Sequence, residues 1–227
     1  MIRIIFENEC FVICDKESGV LSTPSRHEEN DKRCCLGTEL QTSLKRQIYP
    51  IHRLDFEVSG LVMYAKTPDA HRQANAWFEH KQVQKTYRAL TTAQDYAHIP
   101  ANVPNQKLII ELKSPGQKFE WKSRILRGKR RAYESPQGKD SLTLAEYLGV
   151  NAEGFLIWDL QPVTGRSHQL RFDLSRHGFP ILGDKLYGSN VQWGTDSIAL
   201  RAYKIDFSKA PGAKALGLPS DVTLTSL

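Results

Sequence analysis

The stretch IHRLDFEVSGLVMYAKTPDAHRQANAWFEH, residues 51–80, contains the three ingredients that set the fold class. It opens with a polar segment holding His52, Arg53 and Asp55. It continues into LVMYA (61–65), an unbroken apolar run of the length of a buried strand. Thr67-Pro68-Asp69 then reads as a helix start, with a capping hydroxyl, a proline in the first turn and an acid near the positive end of the helix dipole. The helix is expected to run to about residue 82, with Ala70, Ala74, Trp77 and Phe78 inward.

Outward from this segment, strands outnumber helices. Short Ile-, Val- and Phe-rich runs at 2–6 and 10–14 read as strands, Gly19 to Pro24 as a loop, and 83–91 as an alternating strand. Further strands are expected at 107–112, 118–126, 142–149, 155–163 and 198–207. Leu36, Leu40, Leu44 and Ile48 fall on one helical stripe over 36–48, and 167–177 can form a helix after a turn at Gly165. Strands and helices do not alternate regularly. The expectation is therefore α+β, with a mixed, mostly antiparallel central sheet, flanking helices and a cleft, in one domain over 1–227. Residues 98–107, with Pro100 and Pro104, read as a surface loop.

Charge narrows the partner. The net charge is +6, and residues 113–139 hold nine Lys or Arg against two Glu, a local excess of +7 that leaves the rest of the chain at −1. A concentrated basic segment suits a polyanion contacted along a surface. Lys122, Arg124, Arg127, Lys129, Arg130 and Arg131 form the candidate RNA-binding patch; a solvated charged hairpin is the plainer reading. The four cysteines, Cys10, Cys14, Cys34 and Cys35, lack the spacing of a zinc site, and reduced thiols are expected. No apolar run approaches ~18 residues, and the opening residues lack a signal-peptide core. A soluble, cytoplasmic chain with no membrane partner is expected.

Three clusters are candidates for chemistry. Asp55 precedes a buried strand, where an acid can line a cleft beside Arg53; a turn aspartate in solvent is the alternative. Gly165-Arg166-Ser167-His168-Gln169-Leu170-Arg171 places two arginines, a His and a Gln at a helix start that Ser167 could cap and that could meet a phosphate; ordinary surface charges are the alternative. Alternation puts Lys85, Tyr87 and Ala89 on one strand face, where Tyr87 is either a core ring or a platform for a base. A fourth segment, Pro180–Gly188, reads by itself as a shaped structural loop.

Taken in order, these segments resemble the RluA branch of the pseudouridine synthases. HRLD stands at His52–Asp55, followed by SGL at Ser59–Leu61; K-x-Y at Lys85–Tyr87; GR(T/S)HQ(I/L)R at Gly165–Arg171; and PI-x-GD-x-x-YG at Pro180–Gly188. The resemblance spans residues 2–207 and implies a short member without an S4-type domain. It implies Asp55 as the catalytic aspartate, Arg171 as the arginine paired with it, and Tyr87 as the ring stacked on the target uracil. Arg53 would help displace the flipped base, and Leu200 falls near a late hydrophobic contact to it. His52, Lys85, Arg166, His168 and Gln169 belong to the same motifs and are expected at the substrate. The chain departs from the family at Arg201, where His is frequent, and at Asp173, where a basic residue or His is common and an acid is expected to weaken a phosphate contact.

The implied reaction breaks the N1–C1′ bond of a uridine, rotates the base and joins C5 to C1′, without cofactor or metal. A carboxylate can stabilise charge on the ribose, attack C1′ or remove a proton from C2′. The implied substrate is a stem-loop of tRNA, of 23S rRNA or of both, acted on by a monomer. An RNA-binding protein without catalysis and a hydrolase built on His52 and Asp55 are the competing readings.

Overall fold

The structure, a computed structural model, describes residues 2–25, 31–97 and 108–225. The expected loop at 98–107 lies outside the described residues. The chain forms two units, one of Met1–Lys85, Thr195–Ser197 and Arg201–Ser226, the other of Thr86–Gly194 and Ile198–Leu200. Each is built on strands with helical cover, the α+β class expected.

In the first unit β1 (Arg3–Glu7), β2 (Phe11–Lys16) and β4 (Ser59–Ala65) are antiparallel neighbours, and β3 (Tyr49–Pro50) joins β4. β10 (Leu200–Asp206) runs parallel to β4, and β11 (Asp221–Thr223) pairs with β10. The helices are α1 (Leu36–Leu44) and α2 (Pro68–Glu79). α2 starts as its sequence dictates: Thr67 accepts a hydrogen bond from the Ala70 N–H at 3.2 Å, with Pro68 in the first turn. Its Ala70, Ala74 and Trp77 cover Phe11, Ile13, Leu61 and Met63 of the sheet. α1 ends at Lys45, in the left-handed conformation, short of the expected residue 48.

Gly60 is set by packing. Its φ is +113°, and a Cβ there would lie 2.2 Å from the Ala202 carbonyl oxygen, so only glycine lets β4 and β10 close on each other.

The second unit orders its strands β5–β9–β8–β6–β7, all antiparallel: β5 (Gln84–Thr91), β6 (Gln117–Arg127), β7 (Ala132–Glu134), β8 (Lys139–Val150) and β9 (Leu156–Pro162). Alternation of more and less buried residues along β6 and β8 marks a sheet with one face more covered than the other. α3 (Gln169–Arg176) is buried along its whole length. Trp158 packs against Trp121 and Phe179 with ring centroids 5.6 and 5.0 Å away. The expected strand at 107–112 does not form: residues 108–112 have no regular structure. Their short apolar run finds no strand partner, and Ile109 stays 77% exposed.

Candidate active site

Asp55 sits in a loop clamped from both sides. The Ser22 hydroxyl accepts from the Leu54 N–H at 3.0 Å and donates to the Leu54 carbonyl at 3.1 Å. The Phe56 carbonyl accepts from the Gly19 N–H at 2.9 Å and from the Lys16 ammonium at 3.3 Å, and the Asp55 carbonyl takes the Val58 N–H at 3.2 Å. Lys16 is 1% exposed and also donates to the carbonyls of Glu17 and Val20. Burial pulls its ammonium down to about 8, while the charges of Asp55 and Glu57 work against that. The half-buried Asp55 side chain thus stands on backbone fixed by its neighbours, in the field of a buried cation. Arg53, in the same loop, is exposed.

His52 and Lys85 flank one aromatic ring. The His52 ring stacks on Phe78 with centroids 5.2 Å apart, and the Lys85 ammonium lies 5.5 Å from the same ring centre. His52 Nε2 accepts from the Met63 N–H at 3.2 Å, which assigns the proton to Nδ1. Burial, reinforced by the Lys85 charge, pushes His52 down to about 3, and burial brings Lys85 down to about 8. His52 is therefore a neutral packing group of the first unit.

The other expected residues belong to the second unit. Tyr87 is 7% exposed and lies opposite Leu160 on the covered face of the sheet. Leu200 is buried beside Ala199, whose N–H and carbonyl bond to Leu182 and Leu90. Arg171 is held by Asp184: Nε meets Oδ2 at 2.7 Å and Nη2 meets Oδ1 at 2.8 Å, a fork against a carboxylate with both side chains almost fully buried. The Arg171 guanidinium also lies 5.3 Å from the Tyr187 ring centre. The Tyr187 hydroxyl accepts from the Ala132 N–H at 2.7 Å and meets His168 Nδ1 at 3.2 Å.

The turn before α3 differs from its expected form. His168, not Ser167, occupies the cap position, at φ 55°, and no side chain caps the helix. Gln169 instead fixes the turn ahead of the helix: its Oε1 accepts from the Arg166 N–H at 3.0 Å and the Thr164 hydroxyl at 2.8 Å. Its Nε2 donates to the Leu142 carbonyl at 3.0 Å and the Thr143 hydroxyl at 2.9 Å. An amide offers two acceptor sites and two donors, so all four of its bonds are made within the protein. Arg166 reaches the Asp140 carbonyl through Nε at 2.8 Å.

Of the two positions that depart from the family pattern, Asp173 differs from expectation. Asp173 is 0% exposed and accepts from the Thr143 hydroxyl, so it faces the sheet and not a phosphate. Arg201 ties three segments of the first unit, donating to Asp15 at 2.7 Å, to Ser59 at 3.3 Å and to the Thr225 carbonyl at 3.3 Å. The residues that sequence reasoning missed are Lys16, Ser22 and Asp184. Lys16 had a signal, a lysine closing an otherwise buried strand. Asp184 lay in a loop whose local pattern spoke only of shape.

The basic segment divides in two. Lys122 and Arg124 lie on the exposed face of β6, 3.2 Å from Glu120 and 3.4 Å from Asp140 respectively. Arg127, Lys129, Arg130 and Arg131 are exposed at the β6–β7 turn. Among the described residues no group of three or more His, Cys, Asp or Glu is placed to hold a metal ion, and no helix is long and apolar enough to cross a membrane.

The sequence profile of the RNA pseudouridylate synthase family matches residues 10–176. The chain belongs to that family. Within it, the chain is 30% identical over 200 residues to the dual-specificity RNA pseudouridine synthase RluA of Escherichia coli, covering 82% of this chain and 77% of that protein. It is 28% identical over 222 residues to RluA of Vibrio vulnificus, covering 96% and 83%. These likenesses place it in the RluA branch. An uncharacterised RNA pseudouridine synthase of Helicobacter pylori is 33% identical over 189 residues, of which the match spans 82% of this chain and 58% of the relative's length. The fold is that of human RNA pseudouridylate synthase domain containing 1, with TM-score 0.66, 22% identity and coverage of 100% of this chain and 91% of the other.

Proposed function

We propose that this chain is an RNA pseudouridine synthase that isomerises specific uridines in tRNA, in 23S rRNA or in both, with Asp55 as its catalytic carboxylate. The observation that carries the reading is the doubly clamped loop of Asp55, with Leu54 tied to Ser22 and Phe56 tied to Gly19 and Lys16. A carboxylate serves at the anomeric carbon only if its position is held to a fraction of an ångström. Attack at C1′ and removal of the C2′ proton both need that placement.

In this reading Arg171, oriented by Asp184, keeps the reacting carboxylate ionised, and Tyr87 stacks on the detached uracil. Arg53 and Lys85 serve the flipped nucleotide, whose extrusion costs a few kcal/mol. The tip residues Arg127, Lys129, Arg130 and Arg131 offset part of that cost through phosphate contacts in a stem-loop. Arg166, His168, Gln169 and Leu200 line or support the substrate's place, Gln169 through the turn. The protein acts without a cofactor, as a monomer.

The test uses total RNA from a strain lacking the gene. Incubation with the purified chain should create pseudouridine at one or a few positions, and Asp55→Asn should create none. Undiminished modification by Asp55→Asn would sink the reading.

A further inference from the structure

Three segments of the second unit meet on one side chain, Tyr187, which is 3% exposed. The first is the foot of the basic turn. The Ala132 N–H, one residue past Arg131, donates to the Tyr187 hydroxyl oxygen at 2.7 Å. The second is the turn before α3, where His168 Nδ1 lies 3.2 Å from the same hydroxyl. The third is α3 itself. The Arg171 guanidinium lies 5.3 Å from the centre of the Tyr187 ring, and the Ser175 hydroxyl donates to the Tyr187 carbonyl at 2.8 Å. Ile125, Ala132 and Phe172 form one buried cluster with the ring.

The hydroxyl is used as donor and as acceptor. A phenol has one proton to give and can accept as well. Burial pushes Tyr187 up to about 12, so it keeps that proton at neutral pH. The oxygen takes the Ala132 N–H, and the proton has two acceptors in reach, His168 Nδ1 at 3.2 Å and the Ala132 carbonyl at 3.5 Å. Only the first lies at ordinary hydrogen-bond length. The hydroxyl therefore bridges β7 to the His168 turn. That turn is strained: His168 stands at φ 55°, a left-handed conformation that costs a residue with a Cβ and persists only when its surroundings fix it. The His168 carbonyl in turn accepts the Phe172 N–H at 2.9 Å, in the first turn of the helix that carries Arg171.

The same short segment grips Arg171 twice. Asp184 meets Nε and Nη2 at the edge of the guanidinium, and the Tyr187 N–H donates to the Asp184 carbonyl at 3.0 Å. The ring then stands against the cation at a distance where a π face attracts it.

We propose that Tyr187 is a positioning residue for the reaction: its hydroxyl bolts the foot of the basic turn to the His168 turn and its ring backs Arg171, so that docked phosphates and the reaction's arginine keep a fixed spacing. The proposal rests on the roles given to Asp55, Arg171 and the basic turn under the proposed function. A phosphate held at Arg127–Arg131 is then in register with the pocket only while this hydroxyl is in place.

Tyr187→Phe removes the hydroxyl and keeps a ring of the same shape. It leaves the Ala132 N–H buried without its acceptor, so the melting temperature should fall by about 3–5 °C. The decisive measurement is single-turnover pseudouridine formation on total RNA from a strain lacking the gene, with enzyme in excess. The rate at saturating enzyme, per folded protein, should fall about tenfold, and the half-saturating concentration should stay within about twofold. A merely structural hydroxyl would leave that rate unchanged. With Arg127, Lys129, Arg130 and Arg131 already replaced by Ala, the same substitution should cost only about threefold, because no phosphate is then held at the turn. Amide hydrogen exchange of the wild type keeps the proposal open to refutation if the variant fails to fold: the Ala132 amide should exchange at least about tenfold more slowly than those of Lys129 and Arg130. An undiminished saturated rate, equal costs in the two backgrounds, or an Ala132 amide as fast as its neighbours would overturn the proposal. An Asp55→Asn variant as active as wild type would sink the reading beneath it, and the positioning role with it, while leaving the protection of Ala132 in place.

Discussion

Arg171 and Asp184 form a two-point ion pair, 2.7 and 2.8 Å, with the carboxylate fully buried. Removing one member leaves the other as an uncompensated buried charge. Asp184→Ala should therefore cost 3–5 kcal/mol of stability, on the order seen for broken buried pairs. Asp184→Asn, which keeps the shape and an acceptor, should cost less. Urea unfolding checks both. Equal, small losses would show that the pair is not what fixes Arg171.

Gly60→Ala tests the close approach of β4 and β10. The added methyl would meet the Ala202 backbone at a φ of +113°. A loss of about 3 kcal/mol or more is expected from strain and overpacking together. A variant that melts with the wild type would show that the strands can separate there without cost.

His52 sets an acid limb to stability. Burial pushes it down to about 3, against ~6.5 in an unfolded chain. Below pH ~6.5 the unfolded chain binds a proton that the folded chain refuses, so stability is full above that pH and is lost as pH falls toward 3. His52→Gln keeps an acceptor for the Met63 N–H and should lessen the fall in melting temperature between pH 6.5 and 4.5. An unaltered slope in His52→Gln would assign the acid sensitivity elsewhere.

The two halves of the basic segment should behave differently with RNA. Replacing Arg127, Lys129, Arg130 and Arg131 by Ala should weaken binding and flatten the slope of log affinity against log salt by up to ~3. Lys122 and Arg124 already face Glu120 and Asp140, so their double replacement should change the slope by less than ~1. Filter binding across a salt series decides it. Equal slopes for the two variants would place the RNA contact on the strand face and not the turn.

Local signals in the sequence match the structure where local physics decides. Thr67-Pro68-Asp69 announced α2, and the inward stripe of Ala70, Ala74 and Trp77 is the one the core uses. The α+β class followed from counting strands and helices. The apolar run at 107–112 misled because β-propensity is realised only against a partner strand. Ser167 misled because the turn before α3 is held by Gln169, which binds Thr164, Arg166, Leu142 and Thr143, and no side chain caps the helix.

By itself, then, the sequence determined the element types, the family and the four ordered motifs, because each depends on residues close along the chain or on their order. Only the tertiary structure decided that Lys16 and Ser22 hold the Asp55 loop, that Asp184 holds Arg171, and that Asp173 faces a sheet instead of a phosphate. Those are relations between residues brought together by folding, and their strength comes from burial, which no local pattern encodes.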